Sequence, residues 1–282
     1  MNGFINVNKR VGSSSTREVN VIKTITRTPC GHMGTLDPMA SGVLPVAIGN
    51  SARLFDYFLQ KKKTYVATFR FGVDSDTLDV TGEMQENCGR IPTADEIKSI
   101  IPMLCGEIDQ IPPKYSAKNV QGKRGYELAR AGVEFDLPPK KVIIDNISLL
   151  GETDEGDFRF EIECGGGTYI RSIARDMANM LSTKAVMSSL IRTKSGPFTL
   201  ENAVETQLIN RENVQDFIIP TENVLPFDSI YPKGNDAKRL FNGLYVDTDL
   251  KDGAYKIFDV NEVFYGLAIV QNSKLKIRTK LC

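Results

Sequence analysis

Two stretches of the chain alternate apolar and polar residues with a period of two, the pattern of a strand with one buried face. In residues 64–71 every second residue, beginning with Tyr65, is apolar. The same holds for residues 158–164, beginning with Phe158, and three glycines at residues 165–167 then interrupt the pattern. Each stretch predicts a half-buried strand, and the second strand is expected to end at a glycine turn.

Helical spacing follows this glycine turn. Thr168 is a candidate N-cap, and apolar residues then recur at intervals of three and four, at Ile170, Ile173, Ala174, Met177 and Leu181. Arg171 therefore falls in the first turn of the predicted helix. A second amphipathic helix is predicted over residues 93–104, with Pro102 expected to disturb its last turn. Because helices and strands mix without regular βαβ repeats, we expect an α+β fold with a mixed, largely antiparallel sheet flanked by helices.

A linker is predicted at residues 226–236 from Pro226, Asp228, Pro232, Gly234 and Asn235, and a small β-rich module is expected after it. We therefore expect two domains, residues 1–226 and residues 227–282. The last predicted strand, residues 274–281, alternates apolar residues with four cations. Those cations, Lys274, Lys276, Arg278 and Lys280, suit contact with RNA phosphates, and equally suit an edge strand protected against aggregation.

Composition adds little that is specific. The chain has 282 residues, enough for one large domain with an appendage, and its 35 basic and 35 acidic residues cancel. Any affinity for RNA must therefore come from local patches, and residues 111–141 form the most basic segment. Taken alone, that segment is equally a solvated loop or an RNA contact. Five scattered cysteines and one histidine match no zinc spacing, and no apolar run is long enough to span a membrane. We expect a cytoplasmic protein without a metal.

The densest cluster of reactive residues is the loop at residues 31–43, GHMGTLDPMASGV. It contains His32, the only histidine, and Asp37, which Pro38 excludes from the helical region of backbone space. Gly34 permits backbone geometries and close ligand approach that a β-carbon would block. On residue type alone, Asp37 is either an Asx-turn residue or a catalytic carboxylate, and His32 either a loop hydrogen-bond partner or a ligand contact.

Residues 31–44 resemble the signature of the TruB family of tRNA pseudouridine synthases. Further similar segments follow in the family's order, at residues 63–65, 110–117, 125–130, 167–171 and 190–193. The resemblance covers residues 3 to about 200. It implies a pseudouridine synthase fold with a PUA-like C-terminal module, and isomerisation of uridine to pseudouridine at position 55 in the T-arm of tRNA, without a cofactor. It also implies that residues 111–141 are an insertion that grips the RNA.

The resemblance also implies roles for individual residues. Asp37 would be the nucleophile, Tyr65 would stack on the base and move a proton, and Arg171 would be the counter-charge. Such a counter-charge is needed because burial alone raises the pKa of a carboxylate. Arg171 could pair with Asp37 through two nitrogens. Six further residues would contact the substrate: His32, Gly34, Leu190, Tyr169, Lys123 and Arg124.

His32 is expected to stack in the space that the target uridine leaves when it is flipped out of the RNA loop. Leu190 would form an apolar floor for the uracil. Without the resemblance, Tyr65 and Leu190 are ordinary core residues and Arg171 is a surface arginine.

Three functions are compatible with the sequence. The first is a monomeric synthase that acts on tRNA without a guide RNA. The second is a guide-dependent relative, a class that resembles longer chains. The third is a catalytically silent tRNA-binding or tRNA-folding module, against which the presence of Asp37, Tyr65 and Arg171 together argues.

Overall fold

A computed structural model describes residues 1–116, 119–120 and 122–281, and for residues 119, 120, 123, 124, 126 and 130 the backbone alone. The strands are β1 (Gly3–Lys9), β2 (Cys30–His32), β3 (Ser41–Ile48), β4 (Lys63–Phe71), β5 (Asp74–Ser75), β6 (Met84–Gln85), β7 (Gly106–Gln110), β8 (Asn119–Val120), β9 (Lys123–Arg124), β10 (Lys140–Glu152), β11 (Phe158–Cys164), β12 (Ala185–Ser195), β13 (Phe198–Thr199), β14 (Ser229–Ile230), β15 (Val246–Asp247), β16 (Gly253–Phe258), β17 (Phe264–Gln271) and β18 (Lys274–Lys280). The helices are α1 (Ser15–Thr26), α2 (Phe55–Leu59), α3 (Ala94–Leu104), α4 (Gly125–Arg130), α5 (Ile170–Met180) and α6 (Gly234–Phe241).

A nine-stranded sheet forms the larger part of the molecule, in the order β1-β3-β12-β4-β11-β10-β7, with β2 beside β3 and β13 beside β12. Its pairs are antiparallel apart from β12 and β3, which run parallel where Ile191 faces Ser41 and Arg192 faces Gly42. The α+β fold with a mixed, largely antiparallel sheet is confirmed. Within this sheet, the single parallel pair joins β3 at Gly42 to β12 at Arg192.

One hydrophobic core lies between this sheet and the helices α1, α3 and α5. Each helix contributes fully buried residues to it, such as Ile22, Ile97 and Ile173, which pack with Phe69 and Phe160 of the central strands. Burying each such side chain contributes about 1.5–3 kcal/mol. The two alternating stretches of the sequence are β4 and β11, so both predicted strands are confirmed.

Two details of the predicted helices are wrong. Helix α3 is capped by Thr93 and continues through Pro102 to Leu104, because Pro102 lies on the exposed side, where water can satisfy the carbonyl that loses its partner. Helix α5 has Tyr169 as its N-cap residue instead of Thr168. The hydroxyl of Thr168 donates to the carbonyl of Gly165 (3.0 Å) and closes the glycine turn instead.

The C-terminal residues form a second sheet of five strands, in the order β14-β16-β17-β18-β15. The predicted linker at 226–236 is partly wrong, because it contains β14, which pairs parallel with β16, and the start of α6. Strand β14 has two residues, too few to show an alternating pattern. Strand β18 lies where the cationic strand is predicted, with Lys274 ion-paired to Asp247 (2.6 Å).

The second sheet packs against the first through apolar side chains. Leu281 is buried among Phe4, Phe58 and Phe198, and Leu267 of β17 packs on the same cluster. In the described part of the chain, no helix is long and apolar enough to span a bilayer.

Candidate active site

The segment that carries Asp37 is a tightly held loop between β2 and β3, referred to below as the Asp37 loop (residues 33–40). Every backbone carbonyl from residue 34 to residue 38 accepts a hydrogen bond. The donors are Arg192 to Gly34 (3.0 Å) and Thr35 (3.3 Å), Ser15 Oγ to Leu36 (2.9 Å), the amide of Ala40 to Asp37 (3.0 Å), and the amide of Gly12 (2.8 Å) and Lys9 Nζ (3.2 Å) to Pro38. Because each of these five carbonyls has its partner, the loop is held in place and directs the Asp37 side chain.

Lys9 is a buried cation beneath this loop. Its Nζ donates to the carbonyls of Arg10 (3.0 Å), Ser13 (2.6 Å) and Pro38 (3.2 Å), and the residue is 0% exposed. Burial lowers the pKa of Lys9 to about 8, and the nearby Glu18 and Asp37 carboxylates oppose that shift. Carbonyl oxygens thus replace water around this charge.

Arg192 on β12 is the second buried cation at the loop. Besides Gly34 and Thr35, its guanidinium donates through Nε to the carbonyl of Val43 (2.7 Å). Gly42 lies against its backbone, with a φ of +98°, and a β-carbon on Gly42 would lie 2.3 Å from the Arg192 carbonyl oxygen. Glycine is therefore required at this position by both its backbone conformation and the space available.

Asp37 forms the predicted ion pair with Arg171, since Oδ2 lies 3.0 Å from Nη2. The Arg171 side chain is 7% exposed and that of Asp37 34%, so the carboxylate remains open to a ligand. The expected pairing through two nitrogens is wrong, because Nη1 lies 3.4 Å from Asp79 instead. The guanidinium also donates to the carbonyls of Thr77 and Tyr115, both at 3.0 Å.

Asp79 is a functional candidate that the sequence analysis does not identify. Its side chain is 5% exposed, and Oδ1 accepts hydrogen bonds from Thr77 Oγ1 (2.9 Å), the Thr81 amide (2.9 Å) and Thr81 Oγ1 (2.5 Å). Arg171 is therefore held between two carboxylates, one buried and one accessible.

Tyr65 and Leu190 lie next to this arrangement. Tyr65 on β4 is 7% exposed and is the strand partner of Arg192 on β12. Burial raises the pKa of the Tyr65 hydroxyl, and the Arg192 charge opposes that rise. Leu190, 6% exposed, precedes Arg192 by two residues on the same face of β12.

His32 ends β2, directly before the loop, and is half-buried. Burial, followed by the positive charge of Arg192, lowers the pKa of its imidazole, so the neutral form is favoured. Its Nδ1 is buried and has no hydrogen-bond partner within the part of the chain that the structure describes. Gly34, with a φ of +134°, is buried behind it and contributes the carbonyl that Arg192 binds.

Tyr169 stands at the start of α5, two residues before Arg171. The side-chain amide of Gln110 accepts from its backbone N–H (2.8 Å) and donates to its carbonyl (3.2 Å), which fixes the helix end against β7. Burial raises the pKa of the Tyr169 hydroxyl. The side chains of Lys123 and Arg124 lie outside the described residues, so their RNA contact stays a prediction.

The arrangement is suited to nucleophilic chemistry. A carboxylate on a fixed loop, ion-paired with a buried arginine and partly open to solvent, can attack an electrophilic carbon of a bound ligand. The buried phenol beside it can accept or donate a proton.

Residues 23–170 match the family described as TruB family pseudouridylate synthase (N terminal domain). Among curated relatives, the tRNA pseudouridine synthase B of Clostridium tetani is 42% identical over 228 residues, which cover 80% of this chain and 78% of the relative. The tRNA pseudouridine synthase B of Clostridium novyi is 36% identical over 290 aligned residues, covering 100% of both chains.

Solved structures show a similar fold. A chain in the crystal structure of a Cbf5–Nop10–Gar1 complex aligns with a TM-score of 0.71 and 24% identity, over 99% of this chain and 85% of that chain. A chain in the structure of an H/ACA RNP bound to a substrate RNA containing 2′-deoxyuridine aligns with a TM-score of 0.70 and 23% identity, with the same coverage. At these identities the likeness concerns the fold.

Proposed function

The chain belongs to the TruB family of pseudouridylate synthases, and from that premise we propose that its Asp37 site isomerises uridine 55 in the T-arm of tRNA. Relatives named tRNA pseudouridine synthase B match most or all of the chain, so the protein is an isomerase that acts on tRNA. The pseudouridine synthase fold and the enzyme class expected from the sequence are confirmed. The observation that carries the assignment to this site is the ion pair of 3.0 Å between Arg171 and the accessible Asp37.

The reaction breaks the bond from C1′ of the ribose to N1 of uracil and forms a bond from C1′ to C5. The hydrogen on C5 leaves as a proton, N1 gains a proton, and no electrons are exchanged. Asp37 is the nucleophile that holds a fragment while the base turns, and Arg171 places a positive charge 3.0 Å from this carboxylate. Tyr65 receives the C5 proton.

The target uridine has to leave its stacked position to reach Asp37, at a cost of a few kcal/mol. His32 fills the space left behind, and its neutral form is suited to stacking between bases. Leu190 supports the uracil from below. Tyr169 and Gly34 complete the wall of the pocket.

RNA binding outside the pocket is assigned to the insertion at residues 111–141, which includes the β8–β9 hairpin and helix α4. The net charge of the chain is zero, so the local excess of cations there supplies the attraction to phosphates, with Lys123 and Arg124 at the hairpin. Residues 1–226 are the catalytic domain and residues 227–282 a PUA-like module. A separate five-stranded sheet within residues 229–280 supports this division.

We also propose that the protein works as a monomer in the cytoplasm, where tRNA is modified, without a guide RNA. The relative from Clostridium novyi, matched over the whole of both chains, is named for tRNA. Guide dependence and catalytic silence are the outcomes against which the proposal is tested.

The test uses a tRNA transcript labelled with tritium at C5 of uracil and the purified protein alone. Release of tritium, with a pseudouridine mapped at position 55, supports a stand-alone synthase. Binding of the tRNA without release would instead identify a silent module, and release that needs added cellular RNA would identify guide dependence.

The nucleophile is tested with Asp37→Asn, which we expect to abolish release while tRNA affinity changes by less than about fivefold. Asp145→Asn is the matched control, because Asp145 on β10 is also a partly exposed, ion-paired aspartate. Substantial release by Asp37→Asn would contradict the role of Asp37.

A further inference from the structure

Arg192 is buried without a carboxylate partner. It is 1% exposed, and no described Asp or Glu forms an ion pair with it. A cation in the interior is costly unless its charge is compensated, and within the described residues this guanidinium donates to the carbonyls of Gly34, Thr35 and Val43. Its burial also keeps it from touching RNA. An apolar residue would fill the same volume at lower cost, so the charge and the hydrogen-bond geometry of Arg192 call for a function.

The position of Arg192 in the sheet links the two chain segments that carry the reaction. On one side its strand partner is Gly42, at the start of the strand that leaves the Asp37 loop. On the other side its strand partner is Tyr65. Its guanidinium reaches back to the carbonyls of Gly34 and Thr35, three and two residues before Asp37. One side chain therefore contacts the loop while its backbone is bonded into both neighbouring strands.

The charge of Arg192 acts on the groups around the loop. Burial is the main cause that lowers the pKa of His32, of Lys9 and of Lys63, and the Arg192 charge adds to each of these shifts. The same charge opposes the rise that burial causes in the pKa of Tyr65. A phenol that accepts a proton has to be available as phenolate, and a neighbouring cation favours that form. Among the described cations, Arg192 contributes most to lowering the pKa of the Tyr65 hydroxyl, against the larger rise caused by burial.

We propose that Arg192 is a positioning residue for the isomerisation, which fixes the Asp37 loop through the Gly34 and Thr35 carbonyls and places a positive charge beside the Tyr65 hydroxyl. The proposal rests on the proposed function of the Asp37 site. Arg192 differs from Arg171, which binds the nucleophile itself. Arg192 acts through the backbone that carries Asp37 and through Tyr65.

Single-turnover tritium release is measured for Arg192→Met, which removes the charge, and for Arg192→Lys, which keeps it. A displacement of Asp37 by about 1 Å costs about 100-fold in rate, and we expect that loss for Arg192→Met. Lysine cannot reach three carbonyls with a planar fork, so we expect a loss of about tenfold for Arg192→Lys. The tRNA affinity of both variants stays within about threefold, because the side chain is buried.

Arg70→Met is the matched control. Arg70 lies on β4, opposite Val186 of β12, and binds Asp157 (2.8 Å) away from the loop. We expect its tritium release to stay within about threefold of wild type. A thermal unfolding curve for each variant separates a local effect from loss of the fold. If Arg192→Met does not fold, Arg192→Lys carries the test.

A second measurement reports on the charge without requiring turnover. Difluorotyrosine at position 65 is a stronger acid than tyrosine, and its ¹⁹F resonance follows its ionisation. We expect its pKa to rise in Arg192→Met, because a neighbouring cation is removed, and to change little in Arg192→Lys. If Arg192 had no electrostatic effect on the hydroxyl at position 65, the pKa of the difluorotyrosine would be the same in Arg192→Met as in the wild type.

The outcomes separate the two proposals. Wild-type protein that releases no tritium overturns the proposed function. An active wild type with Arg192→Met and Arg192→Lys both within about threefold of it overturns the role of Arg192 alone. A loss of rate matched by an equal loss of tRNA affinity, or a fluorotyrosine titration unchanged in Arg192→Met, also overturns it.

Discussion

Asp79→Asn is the substitution whose effect the site geometry defines best. Asparagine has the shape of aspartate and can keep the hydrogen bonds that Oδ1 accepts from Thr77 and Thr81. It replaces Oδ2, which lies 3.4 Å from Arg171 Nη1, with a neutral group. The change therefore removes one of the two negative charges on a guanidinium that is 7% exposed.

The magnitude follows from the distance. Two unit charges 3.4 Å apart interact by about 5 kcal/mol at an effective dielectric constant of about 20. Removing one partner of a buried pair typically costs about 3–5 kcal/mol. Because Arg171 keeps Asp37 and two carbonyls, we expect the lower end, a loss of about 3 kcal/mol in the free energy of unfolding. The guanidinium will also shift toward Asp37, and a displacement of about 1 Å costs about 100-fold in turnover.

Urea denaturation and single-turnover tritium release measure the two effects. Asp76→Asn is the control, because Asp76 lies in the same loop but is exposed, and its carboxylate accepts from the amide of Glu83 (2.9 Å) and forms no ion pair with any described residue. We expect it to cost at most about 1 kcal/mol and to leave turnover unchanged. If Asp79→Asn behaves like the control in both assays, Asp79 does not hold Arg171 in place.

Three further predictions concern other parts of the molecule. Gly42→Ala is expected to lower the free energy of unfolding by about 2–3 kcal/mol, because of its φ of +98° and the carbonyl oxygen 2.3 Å from the new β-carbon. Gly31→Ala, whose β-carbon meets nothing within 4 Å, should show little change in denaturation, and equal losses would contradict the steric argument. Replacing Lys123 and Arg124 with glutamine should weaken tRNA binding and reduce the slope of log affinity against log salt by about one unit per lost phosphate contact, whereas an unchanged slope would place the RNA elsewhere. Burial lowers the pKa of Lys63 from 10.5 to about 8, so the unfolded chain binds more protons between these values and stability rises with pH. The free energy of unfolding of the wild type, relative to that of Lys63→Met, should therefore rise from pH 8 to pH 10.5, and a constant difference would contradict this.

Local patterns in the sequence predict the strands well and the helix ends less well. The alternation over residues 158–164 coincides with β11 because each inward residue is buried against the same core. Thr168 has the chemistry of an N-cap, but its hydroxyl donates to the carbonyl of Gly165 in the glycine turn, and the helix begins one residue later than predicted. The pairing of Asp37 with Arg171 depends on the family resemblance, since residue type alone does not distinguish Arg171 from a surface arginine.

The residues that hold the site are harder to predict. Arg192 shares a strand face with Leu190, so the period of two could have placed it toward the site. Its contact with the Asp37 loop depends on a parallel pairing that no local pattern encodes. Asp79 gives no comparable signal, because Asp74 and Asp76 precede it in the same acidic loop. Only the three-dimensional structure distinguishes the carboxylate that meets Arg171.

The parallel pairing of β3 with β12 in the nine-stranded sheet has a consequence for biosynthesis. Arg192 and Val43, which it brings together, are 149 residues apart in the chain. Contacts of such long range form late, and domains fold as they emerge during translation. In a nascent chain, Asp37 is therefore synthesised well before Arg192 can hold the loop that carries it. Catalytic competence arrives only after about two thirds of translation, so a nascent chain that does not yet contain Arg192 has no working site with which to modify the tRNAs on the ribosome.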